Sequence, residues 1–100
     1  ATTQWSRRVP DAAAFTAAIR AHPPAALAAV RVRRVVDHAP ATDLLEIELG
    51  NEGRVLVRPS GTEPKVKCYF EAVAAEPETA RAQVVALRTA FEEYVGSIGS

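Results

Sequence analysis

Alternating apolar and polar residues predict five β-strands in this chain. The alternation is clearest in residues 45–49 and 65–72, where every second side chain is apolar and the residues between are charged or tyrosine. A period of two places one set of side chains on a buried face and the other set in solvent. The predicted strands cover residues 4–9, 30–37, 45–49, 54–58 and 65–72.

Two segments have the period of an α-helix instead. Asp11 is placed to cap a helix that begins near Ala12, and prolines at 23 and 24 end it. In the C-terminal segment Pro77 suits the first helical turn and Gly96 suits the end. The apolar stripe of this second helix consists of Ala80, Val84, Leu87, Phe91 and Val95. A further helical turn is predicted between residues 24 and 29.

This order of elements predicts the fold class α+β, roughly β-α-β-β-β-β-α. Alternating strands need a cover on one face only, so we expect a mostly antiparallel sheet of four to five strands with two helices packed on one face. At 100 residues the chain has room for one domain, residues 1–100. The sequence contains no methionine, and we expect it to be a piece of a longer chain.

Composition excludes several classes of protein. The 12 basic and 12 acidic residues cancel, which argues against nucleic acid or an anionic membrane as partner. The single cysteine cannot form an intramolecular disulfide, and this favours a reducing compartment, here the cytoplasm. A zero net charge still permits a local basic site for a small anion.

The best candidate for such a site is the loop between the last two predicted strands, with the sequence Arg-Pro-Ser-Gly-Thr-Glu-Pro over residues 58–64. Arg58 offers a planar, charged fork that matches phosphate. Ser60 and Thr62 add hydroxyl donors, and Gly61 allows the bend that lets successive N–H groups converge on an anion.

Composition alone leaves an ordinary alternative open for the same loop. Serine, glycine and proline are the residues that hairpin connections use in any case. Glu63 also opposes anion binding, because a carboxylate beside a phosphate repels it. We therefore expect Glu63 either to turn outward or to meet a cation.

The exact string points further. Together with Lys-Val-Lys-Cys-Tyr-Phe-Glu over residues 65–71, it resembles the C-terminal domain of the α-D-phosphohexomutases, the family of phosphomannomutases, phosphoglucomutases and phosphoglucosamine mutases. The resemblance is dense over residues 54–72, and the order of elements fits the whole chain. It implies the fourth of four domains around a cleft, with a loop that holds the non-transferring phosphate of the sugar.

The resemblance also implies roles for particular residues. Arg58, Ser60, Gly61 and Thr62 would contact the phosphate of a hexose phosphate bound jointly with the other domains. Lys67 lies where many relatives have arginine and is an additional candidate. The parent enzyme would be an isomerase that uses a phosphoserine and a magnesium ion held by clustered aspartates. Here the three aspartates are widely spaced and no serine has that context, so we expect no catalytic residue, no metal ligand and no activity in this chain alone.

The remaining chemically notable residues have structural interpretations. His22 and His38 are expected to be solvated loop residues, and Cys68 a buried, unreactive thiol. The arginines within residues 31–34 are expected on a solvated strand face.

Two alternative functions remain. The first is a small α+β interaction or RNA-binding module, but such sheets interleave exposed aromatic and basic residues, and Tyr69 is the single good outward aromatic candidate. The second is a purely structural domain that only packs on its neighbours and would show no response to phosphate.

Overall fold

The sheet of this protein has six antiparallel strands in the part of the chain that the computed structural model describes, residues 1–60 and 63–98. Their order across the sheet is β1-β6-β5-β4-β3-β2. The strands are β1 (Thr2–Arg8), β2 (Ala26–Leu27), β3 (Val30–Asp37), β4 (Leu45–Leu49), β5 (Arg54–Pro59) and β6 (Lys65–Glu71).

Two helices connect and close this sheet, as the sequence predicts. Helix α1 covers Ala12–Ala21, and helix α2 covers Pro77–Ile98. The Asp11 carboxylate accepts a hydrogen bond from the backbone N–H of Ala14 at 3.1 Å, which confirms the predicted cap of α1. Gly96 does not end α2, which continues two residues beyond it.

The core lies between the helices and one face of the sheet, which we call the inner face. All five residues of the predicted α2 stripe are buried, as are the alternate residues of the three central strands β4, β5 and β6. The Phe91 ring lies edge-on to Phe70, with centroids 5.6 Å apart, and to Trp5 at 6.2 Å. The apolar residues of the helices and those of the strands therefore pack together in a single buried layer, and the fold class α+β is confirmed.

The segment after α1 differs from the prediction. The expected helical turn between residues 24 and 29 is wrong, because Ala26 and Leu27 form β2 and pair with β3. Leu27 is buried in the core, so tertiary packing outweighs the helix preference of the surrounding alanines. Ala28 and Ala29 make the two-residue turn, with φ of 51° and 63°. This short strand raises the number of strands to six, from the predicted four to five.

The opposite face of the sheet, the outer face, carries the polar half of each alternating strand. Both helices pack on the inner face, α1 against β5 and α2 against β1 and β6. Neither helix therefore covers the outer face. Across the described residues, neither helix combines the length and apolar character that spanning a membrane requires.

Candidate functional site

The hairpin of β5 and β6 brings the predicted site residues to one end of the sheet. Arg58 stands near the end of β5 and lies directly opposite Lys67 of β6 in the strand register. The backbone N–H of Ser60 donates to the carbonyl of Lys65 at 2.8 Å and closes the loop. Gly61 and Thr62, which the sequence also predicts in this site, lie outside the described residues.

Arg58 and Lys67 form a cross-strand pair of like charges on the outer face. The Arg58 side chain is exposed and that of Lys67 is half-buried. Among the described residues, no carboxylate lies within 4.0 Å of either cation. Like charges directly opposite each other on a sheet are destabilising unless an anion lies near them. The described residues therefore leave the charges of this pair without a counter-ion.

Glu63 illustrates the opposite situation at a neighbouring pair of cations, which joins β6 to β1. Its carboxylate lies 3.3 Å from Arg8 Nη2 and 3.6 Å from Lys65 Nζ. Arg8 and Lys65 are themselves direct cross-strand partners, so this second like-charged pair shares one internal counter-ion. The prediction that Glu63 turns outward or meets a cation is confirmed. Its carboxylate pairs with Arg8 and Lys65 and forms no ion pair with Arg58.

The backbone and the side chain of Ser60 differ in their hydrogen bonding. Its N–H donates to the Lys65 carbonyl and is therefore not a free amide, whereas the group of amides predicted around Gly61 lies outside the described residues. Its hydroxyl has no hydrogen-bond partner among the described residues and its side chain is half-buried. This hydroxyl stands two residues after Arg58, at the same end of the sheet.

Strand β1 adds residues that the sequence does not connect with this site. Ser6 lies opposite Lys67, and both line a depression of about 340 Å³ with Gln4 and Trp5. A larger depression, about 590 Å³, lies between β1 and the two helices and is not lined by Arg58 or Lys67. The pairing of β1 with β6, which joins the first strand to the last, carries no local signal that could have placed Ser6 beside Lys67.

Farther from the loop, the charges of the outer face compensate one another. Arg54 pairs with Glu71 at 3.1 Å and with Glu46 at 3.5 Å. Arg33 and Arg34 hold Glu48 at 2.8 and 2.9 Å, and these hydrogen bonds lower the pKa of its carboxyl. The charged strand face expected within residues 31–34 is thus present, with Arg33 and Arg34 paired to Glu48 and Arg31 exposed without an ion pair among the described residues.

The other candidate groups are structural. Cys68 is buried, as predicted, and burial raises the pKa of its thiol to about 12, which disfavours the reactive thiolate. His22 is exposed as predicted. His38 lies in the connection after β3, as predicted, with its side chain 38% exposed, and its Nε2 lies 3.0 Å from Glu46 Oε1, a contact that the sequence did not predict. In residues 1–60 and 63–98, no three His, Cys, Asp or Glu residues are grouped to hold a metal ion.

Comparison with known proteins places this geometry in a family. The family model described as phosphoglucomutase/phosphomannomutase, C-terminal domain, matches residues 7–89. A probable phosphomannomutase of Haemophilus influenzae is 44% identical over 66 residues, which are 63% of this chain and 14% of that protein. A phosphoglucosamine mutase of Staphylococcus aureus is 45% identical over 56 residues, which are 56% of this chain and 12% of that protein.

These matches agree with the resemblance found in the loop and with the observed order of strands and helices. The chain spans only 14% and 12% of the length of these two relatives. The family model covers most of the chain, and the chain belongs to the phosphoglucomutase/phosphomannomutase C-terminal domain family.

Proposed function

We propose that this domain holds the non-transferring phosphate of a hexose phosphate for a phosphohexomutase. The observation that carries the proposal is the like-charged pair of Arg58 and Lys67 beside the loop, with no carboxylate within 4.0 Å among the described residues. A phosphate between the two cations would remove their repulsion. The planar guanidinium can make two parallel hydrogen bonds to phosphate oxygens, whereas the lysine adds a single point charge.

The loop completes the proposed site. The Ser60 hydroxyl, without a partner among the described residues, would donate to a third phosphate oxygen. Gly61 and Thr62 enter the proposal through their positions in the loop motif, as further phosphate contacts. Proline at 59 and at 64 limits the freedom of the loop, so less conformational entropy is lost when the ligand binds.

The chemistry of the reaction is assigned to other parts of a longer parent protein. The relatives are named phosphomannomutase and phosphoglucosamine mutase, and this chain matches only a small part of each. Binding of a phosphate that is not transferred orients the sugar, so its binding energy is used to position the reacting end. The described residues do not form a magnesium site, and the proposal assigns no step in this chain to that ion. A cytoplasmic parent enzyme is part of the same proposal.

The direct test is a ligand titration followed by amide chemical shifts. We expect glucose 1-phosphate and mannose 6-phosphate to shift the amides near Ser60 and Lys67, and unphosphorylated glucose to leave them unchanged. A single phosphate site in an isolated domain should bind weakly, with a Kd of about 1 mM. Equal responses to all three sugars would contradict the proposal, and so would no response at all, which the purely structural alternative predicts.

Variants separate the proposed contact from general electrostatics. Arg58→Ala should abolish the saturable shifts, and Arg58→Lys should restore binding in part because it returns charge without the fork. Arg88→Ala is a matched control, since it removes the same charge from an exposed pair with Glu92 on α2. If single-stranded RNA shifted the outer face in a salt-dependent way and the sugar phosphates did not, the RNA-binding alternative would replace this proposal.

A further inference from the structure

We propose that the depression between β1 and the two helices is a second ligand site, which binds small monocarboxylates that have an apolar body. Neither Arg58 nor Lys67 lines this depression, so the proposal goes beyond the phosphate site and does not depend on it. Its volume of about 590 Å³ falls within the range of about 300–1,000 Å³ that small-molecule pockets have. The side chains that line it indicate the class of ligand.

The depression lies on the inner face, where the apolar layer of the domain ends. Trp5 of β1 packs on this layer, and Arg7, two residues later, lies opposite the fully buried Val66 of β6. Alternation along β1 therefore places Arg7 on the same face as the core. Its side chain is exposed at the point where the start of α1 and the end of α2 flank the depression. A cation thus stands at the edge of the apolar core.

The walls of the depression are apolar side chains from both helices and from the segment that follows β1. They are Val9, Ala14, Phe15 and Val95. Val9 and Phe15 are half-buried, so part of each side chain is still in contact with solvent. A ligand that covers this surface removes it from water, and this is the main favourable contribution that an apolar body can make.

The charged side chains of the lining favour an anion. They are Arg7, Arg8 and Asp11, two cations and one carboxylate. Arg7 has no carboxylate within 4.0 Å among the described residues. Arg8 shares the Glu63 carboxylate with Lys65, and the charges of Glu63 and Lys65 cancel beside the depression. The lining therefore has an excess of one positive charge, which a monocarboxylate balances.

The hydrogen-bond donors of the lining restrict the ligand further. The described side chains of the lining include no hydroxyl and no amide group. The backbone N–H of Val9 donates to a loop carbonyl at 2.9 Å, and those of Ala14 and Phe15 donate to Asp11, each at 3.1 Å. The guanidinium groups remain as donors, and the planar fork of Arg7 matches one carboxylate. A sugar would leave its hydroxyls unpaired against these walls, whereas an apolar carboxylate has no further polar group to pair.

The experiment compares three small ligands by titration of the whole chain at neutral pH, with Kd values taken from the amide shifts of residues 7–9, 14–15 and 95–96. Isocaproate has the carboxylate and a branched apolar body, isocaproamide has the body without the charge, and acetate has the charge without the body. We expect isocaproate to bind with a Kd of about 1 mM, and each of the other two to bind at least about tenfold more weakly. If isocaproamide or acetate binds as tightly as isocaproate, or if isocaproate does not bind, the proposal is wrong.

A pair of arginine variants tests the proposed carboxylate contact. Arg7→Met keeps an apolar stem and removes the charge, so it should weaken isocaproate binding about tenfold. Arg7→Lys should recover part of the affinity, because it returns the charge without the fork. Arg31→Met is the matched control, since Arg31 is also exposed on a strand and lies toward the opposite edge of the sheet. An equal loss in Arg7→Met and Arg31→Met would contradict a contact at Arg7.

A pair of alanine variants on α1 tests the location. Ala14→Leu places a larger side chain in the depression and should weaken isocaproate binding at least about tenfold. Ala13→Leu, at the adjacent exposed position outside the lining, should leave it unchanged. Leucine is a good helix former, so both variants are expected to keep α1, and backbone spectra recorded before titration check this. Equal affinities of the two variants would place the ligand elsewhere and overturn the proposal.

The two proposed sites fail separately. Arg58→Ala should bind isocaproate as the unchanged chain does, because Arg58 does not line the depression. If Arg58→Ala loses isocaproate binding, the carboxylate binds at the loop between β5 and β6, and this inference is wrong while the proposed function stands. If the sugar phosphates do not bind but isocaproate shifts the amides around Arg7 and Phe15, the proposed function is wrong and the second site stands.

Discussion

The two faces of the sheet are formed by the same strands and follow opposite rules. On the inner face, the alternate residues of the three central strands are buried against the helices. The ring of Phe91 contacts Trp5 of β1 and Phe70 of β6. On the outer face, nearly every charged residue of the central strands has a partner of opposite sign, except at the loop end, where Arg58 faces Lys67.

This comparison separates what stabilises the domain from what it offers to a ligand. Burial of apolar surface is the dominant favourable contribution to folding, whereas exposed ion pairs contribute little. The loop end of the outer face therefore sacrifices little stability by leaving two cations uncompensated. In the proposed function, the same two cations bind an anion from outside.

The largest expected effect concerns the inner face. Phe91 is completely buried, and Phe91→Ala leaves a cavity between α2 and the sheet. We expect the free energy of unfolding to fall by about 3–5 kcal/mol, measured by urea denaturation. Glu92→Ala, at the exposed neighbouring position, should change it by less than about 0.5 kcal/mol. Similar losses in both variants would show that stability responds to any substitution in α2 and not specifically to the loss of buried apolar surface.

A second effect of the inner face appears in alkaline solution. Burial raises the pKa of Cys68 from its ordinary 9.0 to about 12, so the unfolded chain releases this proton first as the pH rises. Stability from this group is complete below about pH 9 and is lost between 9 and about 12, by roughly 1.4 kcal/mol per pH unit. Cys68→Ala should remove that part of the slope. Burial also raises the pKa of Tyr94. Because Tyr94 is present in both proteins, its contribution cancels when their free energies of unfolding are subtracted. Parallel pH curves would contradict the prediction.

The sequence predicts the inner face well because burial has a local signature. The α2 stripe from Ala80 to Val95 and the alternation of β4 to β6 are visible as periods, and all of these residues are buried. The motif of residues 58–64, which contains Arg58 and Ser60, is also visible in the sequence. The pairing of β1 with β6 is not visible in the sequence, because the register between two strands far apart in the chain depends on tertiary packing. Without that register neither Ser6 beside Lys67 nor Arg8 beside Glu63 could be predicted.

A smaller effect distinguishes two arginines on the same strand and face. Arg58→Gln removes repulsion from Lys67 and should raise the free energy of unfolding by about 0.2–1 kcal/mol in buffer free of phosphate. Arg54→Gln removes ion pairs with Glu46 and Glu71 and should lower it by a similar amount. Urea denaturation of both variants at low ionic strength tests the difference in sign. The same sign for both would mean that the two ends of the outer face do not differ in charge compensation.

The smallest effect concerns the compensated charges themselves, at acid pH. Hydrogen bonds from Arg33 and Arg34 lower the pKa of Glu48 below its ordinary 4.5, so the unfolded chain takes up this proton at higher pH than the folded one. The stability that Glu48 contributes is present above about pH 4.5 and is lost as the pH falls through the lowered folded value. Glu48→Gln should flatten this part of the acid unfolding curve, while Asp37, whose pKa is also lowered, continues to act in both proteins. Added salt should weaken the effect in the wild type, because the pair is near the surface. If the two acid curves coincide at low salt, the pairing around Glu48 contributes nothing, and the contrast with the uncompensated end rests on Arg54 alone.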